Sequence, residues 1–162
     1  MVKKNKNKVK GFTIIELIVV IAIIGILAII IVPNMMKWVR SARLTMQNDT
    51  ASKIAGQANL ISAEMEMNGH ILSGTYTADV DLHGGANAEG FSKALNTAIP
   101  DLDGHLSIAF GASGQVEAVV WQETGSDYIG AYPEAVTLEE MDEDGFSLNS
   151  VCAKRDISVP AV

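Results

Sequence analysis

The sequence has 162 residues, enough for one globular domain with accessory segments but too few for two domains of ordinary size. Nineteen acidic residues outnumber twelve basic ones, and five lysines precede Gly11 with no acidic residue among them. After Gly11 the remaining seven basic residues oppose all nineteen acidic ones, giving a net charge of −12. So acidic a chain argues against general binding to the phosphate backbone of nucleic acids, which requires clustered Lys and Arg.

The first predicted element is an apolar helix close to the N-terminus. Residues 17–32 are uninterrupted apolar residues. A secretory signal peptide explains them poorly, because its apolar core has about 7–15 residues and ends at a small-residue cleavage site. A single-pass anchor fits better, since a helix over residues 12–32 rises about 31 Å, the hydrocarbon thickness of a bilayer. The excess of lysines before the helix predicts a cytoplasmic N-terminus and an external domain.

A plain anchor does not explain Glu16, which lies one helical turn inside the apolar segment. A carboxylate costs about 2.5 kcal/mol or more towards the centre of a bilayer and less near its surface. No Lys, Arg or His occurs between Thr13 and Lys37, so the segment contains no cationic partner. The partner must therefore come from another molecule or from a chain terminus.

The residues around Gly11 resemble a known processing site. Lys10, Gly11 and Phe12, followed by Glu16 and an unbroken apolar helix, are similar to the cleavage site of type IV prepilins and type II secretion pseudopilins. The resemblance covers about residues 1–45. It implies that a prepilin peptidase cuts between Gly11 and Phe12 and methylates the new N-terminus of Phe12.

The same resemblance implies a role for Glu16, which would neutralise the Phe12 ammonium of a neighbouring subunit during assembly. Opposite charges attract strongly in a low dielectric and are costly to leave unpaired, so one pair per subunit can set the axial register. The alternative is a carboxylate that merely reaches the lipid headgroups.

Gly25 and Pro33 lie where many pilins carry a glycine and a proline. Gly25 lowers helix propensity by about 1 kcal/mol, and Pro33 removes one backbone hydrogen bond. By resemblance, the stretch between them can lose helical structure as a filament extends. Equally open is the interpretation that Pro33 only kinks the helix where it leaves the membrane.

The helix is predicted to continue through residues 34–68 as an amphipathic segment, ended by Asn68 and Gly69. Its apolar face is predicted from positions three or four apart. That face comprises Met35, Val39, Ala42, Met46, Thr50, Ile54, Ala58, Ile61 and Met65, with polar side chains such as Gln47 opposite.

Residues 69–162 are predicted to form a globular head. Residues 69–104 are rich in Gly, Asp, Asn and Thr, which favours a long loop with a short helix at Phe91–Ala98, stopped by Pro100. A β-hairpin is predicted over residues 106–121, with further strands at 128–132 and 146–151. The fold class is α+β and pilin-like, with a leader at 1–11, a transmembrane or filament-core helix at 12–33, the amphipathic helix at 34–68 and the head.

The head offers few candidate residues for a metal site or a catalytic site. Its three histidines, His70, His83 and His105, are too dispersed for a metal motif, and the acidic alternations at 79–83 and 101–104 are shorter than an EF-hand loop. The acidic run 139–144 is predicted to start a short solvated helix, because Thr137 and Glu140 have capping-box spacing; a calcium site is the alternative. Cys152, the only cysteine, is predicted to be buried. No catalytic motif is evident, so no enzyme activity and no cofactor are predicted.

Together these features predict a pilin that polymerises into a type IV pilus-like filament serving adhesion, motility or DNA uptake. The alternative is a pseudopilin of a type II secretion system, although the C-terminal proline-, tryptophan- and tyrosine-containing calcium segment of major pseudopilins is missing. The expected partners are other pilin subunits, the prepilin peptidase, the cytoplasmic membrane and the assembly platform, with no nucleic acid bound directly. The subunit is expected in the cytoplasmic membrane before assembly and on the cell surface afterwards.

Overall fold

A computed structural model of the chain describes residues 11–80, 90–100 and 102–157. Most of the expected leader lies outside the described residues, as do Asp81, His83 and Asp101. The chain divides into two compact units, Met1–Val39 and Arg40–Val162. Its elements in chain order are α1 (Ile14–Met67), β1 (Gly74–Val80), α2 (Phe91–Ala98), β2 (Gly104–Phe110), β3 (Val116–Glu123), β4 (Ile129–Tyr132), α3 (Leu138–Met141) and α4 (Leu148–Lys154).

The long helix α1 ends where the sequence predicts. Gly69 has a φ of 83°, a left-handed conformation that glycine adopts without steric cost. The backbone N–H of Gly69 donates to Glu66 and that of His70 donates to Met65, both at 2.9 Å. This pair of hydrogen bonds is a Schellman motif, which satisfies the last carbonyls of the helix.

The four strands form one antiparallel sheet in the order β1-β2-β3-β4. The predicted hairpin is confirmed as β2 and β3, with Leu106 opposite Trp121. One face of the sheet packs with α1 and α2 around Ile54, Leu95 and Ile108. The other face packs against α4, with Val120 beside Val151 in the same cluster. The α+β, pilin-like fold class is confirmed.

The buried face of α1 differs from the predicted one. Ile54, Ala58 and Ile61 are buried as predicted, but Met46 is exposed and Gln47 is buried. The predicted stripe advances mostly in steps of four residues, and each such step rotates about 40° beyond a full helical turn. The observed stripe alternates steps of three and four residues and therefore stays on one side. It follows Leu44, Gln47, Ala51, Ile54, Ala58 and Ile61, with Ala55 and Ser62 buried beside it and Met65 partly buried at its end.

Two further predictions need correction. Residues 146–151 do not form a strand; α4 begins there instead, capped by reciprocal hydrogen bonds between Ser147 and Ser150. Phe146 and Leu148 alternate like strand residues, but Leu148, Val151 and Cys152 share a helical face that packs on the sheet. Within the predicted loop of residues 69–104, Gly74–Val80 forms the edge strand β1, paired with β2. The short helix at Phe91–Ala98 is confirmed.

Strand β4 approaches α1 very closely. A Cβ atom on Gly130 would lie 2.0 Å from the backbone oxygen of Gln47 and 2.7 Å from the backbone nitrogen of Asn48. Asn48 also binds β4 and the segment that follows it, because its Oδ1 accepts hydrogen bonds from the backbone N–H groups of Ala131 in β4 and Val136 beyond it, both at 3.0 Å. Its Nδ2 donates to the Val136 carbonyl at 2.9 Å. Gly130 and Asn48 together thus hold β4, at the edge of the sheet, against α1.

Candidate functional site

The residues around the predicted cleavage site lie at the start of α1. Gly11, Phe12 and Thr13 precede the helix, and the Phe12 side chain is 91 % exposed. The structure therefore places the Gly11–Phe12 peptide bond in an exposed segment outside regular secondary structure.

Glu16 takes part in a capping box with Thr13. The Glu16 Oε2 accepts hydrogen bonds from the Thr13 backbone N–H at 2.7 Å and from its hydroxyl at 2.9 Å. In return, the Thr13 Oγ1 accepts from the Glu16 backbone N–H at 3.3 Å. These contacts satisfy backbone donors that a helix N-terminus leaves free. The carboxylate thus has neutral partners within its own chain but no cation among the described residues.

The sequence reasoning did not identify this capping box, although its signal is present. Thr13 and Glu16 have the spacing of a capping box and immediately precede a long apolar run.

The apolar segment that follows is exposed along its whole length. Every described side chain from Phe12 to Val39 is exposed to solvent. The helix α1 has the length and apolar composition to cross a membrane. Such a surface is far larger than the apolar patches that soluble monomers expose, so it requires lipid or other protein chains to cover it.

Gly25 and Pro33 both lie within continuous helix. A Cβ on Gly25 would meet no atom within 4 Å, so no close contact within this chain requires the glycine. Directly after Pro33, the Asn34 Nδ2 donates to the Ile30 carbonyl at 3.4 Å. The weakening of α1 between Gly25 and Pro33 in a filament stays a prediction.

The acidic run 139–144 is the second candidate site. Thr137 caps α3, with its side chain accepting from the Glu140 backbone N–H at 3.1 Å, so the predicted short helix is confirmed. Glu140 is not simply solvated, however. Its two carboxylate oxygens accept from the Arg155 guanidinium at 3.0 and 3.2 Å, and the Arg155 side chain is only 5 % exposed. This hydrogen bonding holds the pKa of the Glu140 carboxyl below its ordinary value.

Two other acids of the run also have cationic partners. The Glu143 Oε2 accepts from the Lys154 Nζ at 2.6 Å, and the Asp142 Oδ1 accepts from the Arg40 Nη2 at 2.5 Å. Calcium takes 6–8 oxygen ligands, roughly, and much of its affinity comes from carboxylates that carry an uncompensated charge. Within the described residues, no group of three or more His, Cys, Asp or Glu side chains is arranged to hold a metal ion.

We therefore expect the head to fold without calcium. For a soluble fragment beginning near residue 36, millimolar calcium or a chelator should change the melting temperature by no more than about two degrees, because a specific site would stabilise it by mass action. Differential scanning calorimetry with magnesium as the matched control ion measures this. A saturable rise with calcium alone would contradict the prediction.

Cys152 is fully buried on α4, as predicted. Burial among apolar side chains raises the pKa of its thiol above the ordinary value. His70, at the end of α1, lies within 3.2 Å of the Asn68 carbonyl oxygen through its Nδ1.

The comparisons with known proteins bear on the N-terminal segment. Residues 6–32 match the family described as the prokaryotic N-terminal methylation motif. This motif is the signature of type IV prepilins and pseudopilins, so the resemblance of the segment to them is confirmed. No curated protein and no solved structure is significantly similar to the chain.

Proposed function

We propose that the chain is a prepilin whose mature form is a structural subunit of a type IV pilus-like filament, and not an enzyme. The observation that supports this most directly is the methylation motif at residues 6–32, followed by an exposed apolar helix and an α+β head. In this proposal a prepilin peptidase removes residues 1–11 and methylates Phe12. The subunit then waits in the cytoplasmic membrane until an assembly platform adds it to the filament.

The proposed assembly step depends on an ion pair between the Phe12 ammonium of one subunit and the Glu16 carboxylate of another. Cleavage creates a positive α-amine on Phe12 at the edge of the bilayer, and methylation leaves it charged. Among the described residues the Glu16 carboxylate is hydrogen-bonded to Thr13 and has no cationic partner, so it can pair with the ammonium of a neighbouring subunit. In the apolar surroundings of packed helices both charges are costly to leave unpaired, which favours the register that joins them.

The exposed apolar helices supply the contact area of the proposed filament. A helix that is apolar on every side can be covered by lipid in the unassembled subunit and by other copies of α1 in the polymer. The acidic head would remain on the filament surface, where its net charge disfavours direct binding to nucleic acid. Adhesion, motility or DNA uptake would then be functions of the polymer and its other subunits.

A pseudopilin of a type II secretion system is the second candidate, because the same motif marks both classes. The pairing of Glu140, Asp142 and Glu143 with cations favours the pilus, since it leaves the acidic run fewer uncompensated carboxylates with which a calcium-dependent head could bind the ion.

Processing provides the direct test. Protein isolated from its native host should begin at Phe12 and carry a single methyl group on the nitrogen, because the peptidase that cuts the exposed Gly11–Phe12 bond also methylates its product. Intact-mass measurement with N-terminal sequencing checks both features. A Gly11→Leu variant, whose bulky side chain obstructs the cleavage site, is the matched control and should retain Met1. A wild-type chain that begins at Met1, or beyond Pro33, would contradict the proposal.

A further inference from the structure

Trp38 is a large, exposed aromatic side chain on α1. It is 74 % exposed, and its indole N–H donates no hydrogen bond in the part of the chain that the structure describes. Met35, Met36 and Val39 around it are exposed as well, and the neighbouring Lys37 is exposed with them. An indole usually finds both an apolar surface for its ring and a polar partner for its N–H.

The position of Trp38 along α1 indicates that the headgroup region of a bilayer supplies both the apolar surface and the polar partner. The apolar run ends at Val32, about 27 Å along the axis of α1 from its first residue, Ile14, which is close to the roughly 30 Å of the hydrocarbon core. Trp38 lies about 9 Å further along the same helix axis. The bilayer with its headgroups is about 40–45 Å thick and its core about 30 Å, so each headgroup layer is about 5–7.5 Å deep. Trp38 is about 36 Å from Ile14, so a helix whose first residue lies at the inner edge of the core places Trp38 about 6 Å beyond the outer edge, in the outer headgroup layer.

We propose that Trp38 and Lys37 bind the lipid headgroup layer of the outer leaflet and so fix the depth of the unassembled subunit. This inference rests on the proposed membrane-anchored state. The indole ring lies at the boundary between acyl chains and headgroups, where its N–H donates to lipid carbonyl or phosphate oxygens. The Lys37 ammonium lies beside lipid phosphates and attracts anionic headgroups.

The consequence of this anchor concerns Glu16. Trp38 is 22 residues beyond Glu16, which corresponds to about 33 Å of helix. An indole held at the outer boundary therefore keeps the carboxylate at the inner boundary, away from the bilayer centre where a charge is most costly. The N-terminus of the unassembled subunit is thereby held at a defined depth in the bilayer.

The depth of Trp38 can be measured by fluorescence quenching. The full-length mature chain is reconstituted at low density in vesicles of phosphatidylcholine and phosphatidylglycerol whose acyl chains are brominated either near the carbonyl or at mid-chain. The only other tryptophan, Trp121, is 2 % exposed inside the head and is out of reach of lipid. Subtracting the fluorescence of the Trp38→Phe variant from that of the wild type leaves the emission of Trp38 alone. Adding Ile23→Trp to that variant gives a reference tryptophan inside the hydrocarbon core.

Bromines near the carbonyl should quench most of the Trp38 emission, and mid-chain bromines clearly less, whereas the reference should show the opposite order. Absence of quenching, or strongest quenching at mid-chain, would overturn the inference. So would quenching that disappears as protein density rises, which would show that other copies cover the indole. Failure of the chain to float with vesicles would instead overturn the membrane-anchored state itself.

Discussion

The variant Gly130→Ala is expected to destabilise the Arg40–Val162 unit by about 3 kcal/mol or more, a large share of the stability of a small domain. The new Cβ would lie 2.0 Å from the Gln47 backbone oxygen and 2.2 Å from its carbonyl carbon. Both atoms belong to the backbone of α1, so no side chain can move aside to relieve the overlap. Strand and helix must separate, which also stretches the Asn48 hydrogen bonds to Ala131 and Val136.

Gly56→Ala is the matched control for this variant. Gly56 lies on the exposed side of α1, and a Cβ there would meet no atom within 4 Å. The same substitution should therefore raise the free energy of unfolding by about 0.5–1 kcal/mol, because alanine has the higher helix propensity. Urea unfolding of a fragment from residue 36 onward, followed by circular dichroism, compares the two variants with wild type. Equal midpoints for wild type and Gly130→Ala would show that β4 does not pack against α1 this closely.

The N-terminal segment could be predicted because its signals are local. Each signal lies within one short stretch of the chain: the apolar run, the helix-ending Asn68–Gly69 pair, and the glycine followed by Phe12. The same holds for the hairpin of β2 and β3, whose strands are joined by a short turn. Even the capping box of Thr13 and Glu16, which was not predicted, could have been predicted from the sequence, since its two members are three residues apart.

The head was harder to predict because distant residues determine it. Gln47 is buried although it is polar, because its Nε2 donates to Glu123 across the fold at 2.9 Å. The Arg40–Asp142 and Arg155–Glu140 pairs join separate elements, so spacing along the chain did not indicate that acids of the run are paired with cations. The strand β1 pairs with β2 across residues 81–103, a separation that local propensity does not reveal.

The largest functional effect is expected from Glu16→Ala. Cleavage should be intact, because the peptidase recognises Gly11 and its surroundings. Membrane insertion should be unchanged or slightly better, since a costly carboxylate has left the apolar segment. Incorporation should fail, because each added subunit would bring a Phe12 ammonium without a counter-charge. An unpaired buried charge costs about 3–5 kcal/mol, which corresponds to a loss of filaments by two orders of magnitude or more.

Glu16→Gln separates the charge from the helix cap. A glutamine at this position can still accept the Thr13 N–H in a capping box, but it carries no charge. If the proposed pairing drives assembly, Glu16→Gln should fail as completely as Glu16→Ala. The measurement is the ratio of sheared surface filaments to mature protein retained in the membrane. Normal filaments from Glu16→Gln but not from Glu16→Ala would assign the role to the cap, and normal filaments from both would mean that packing of the apolar helices alone drives assembly.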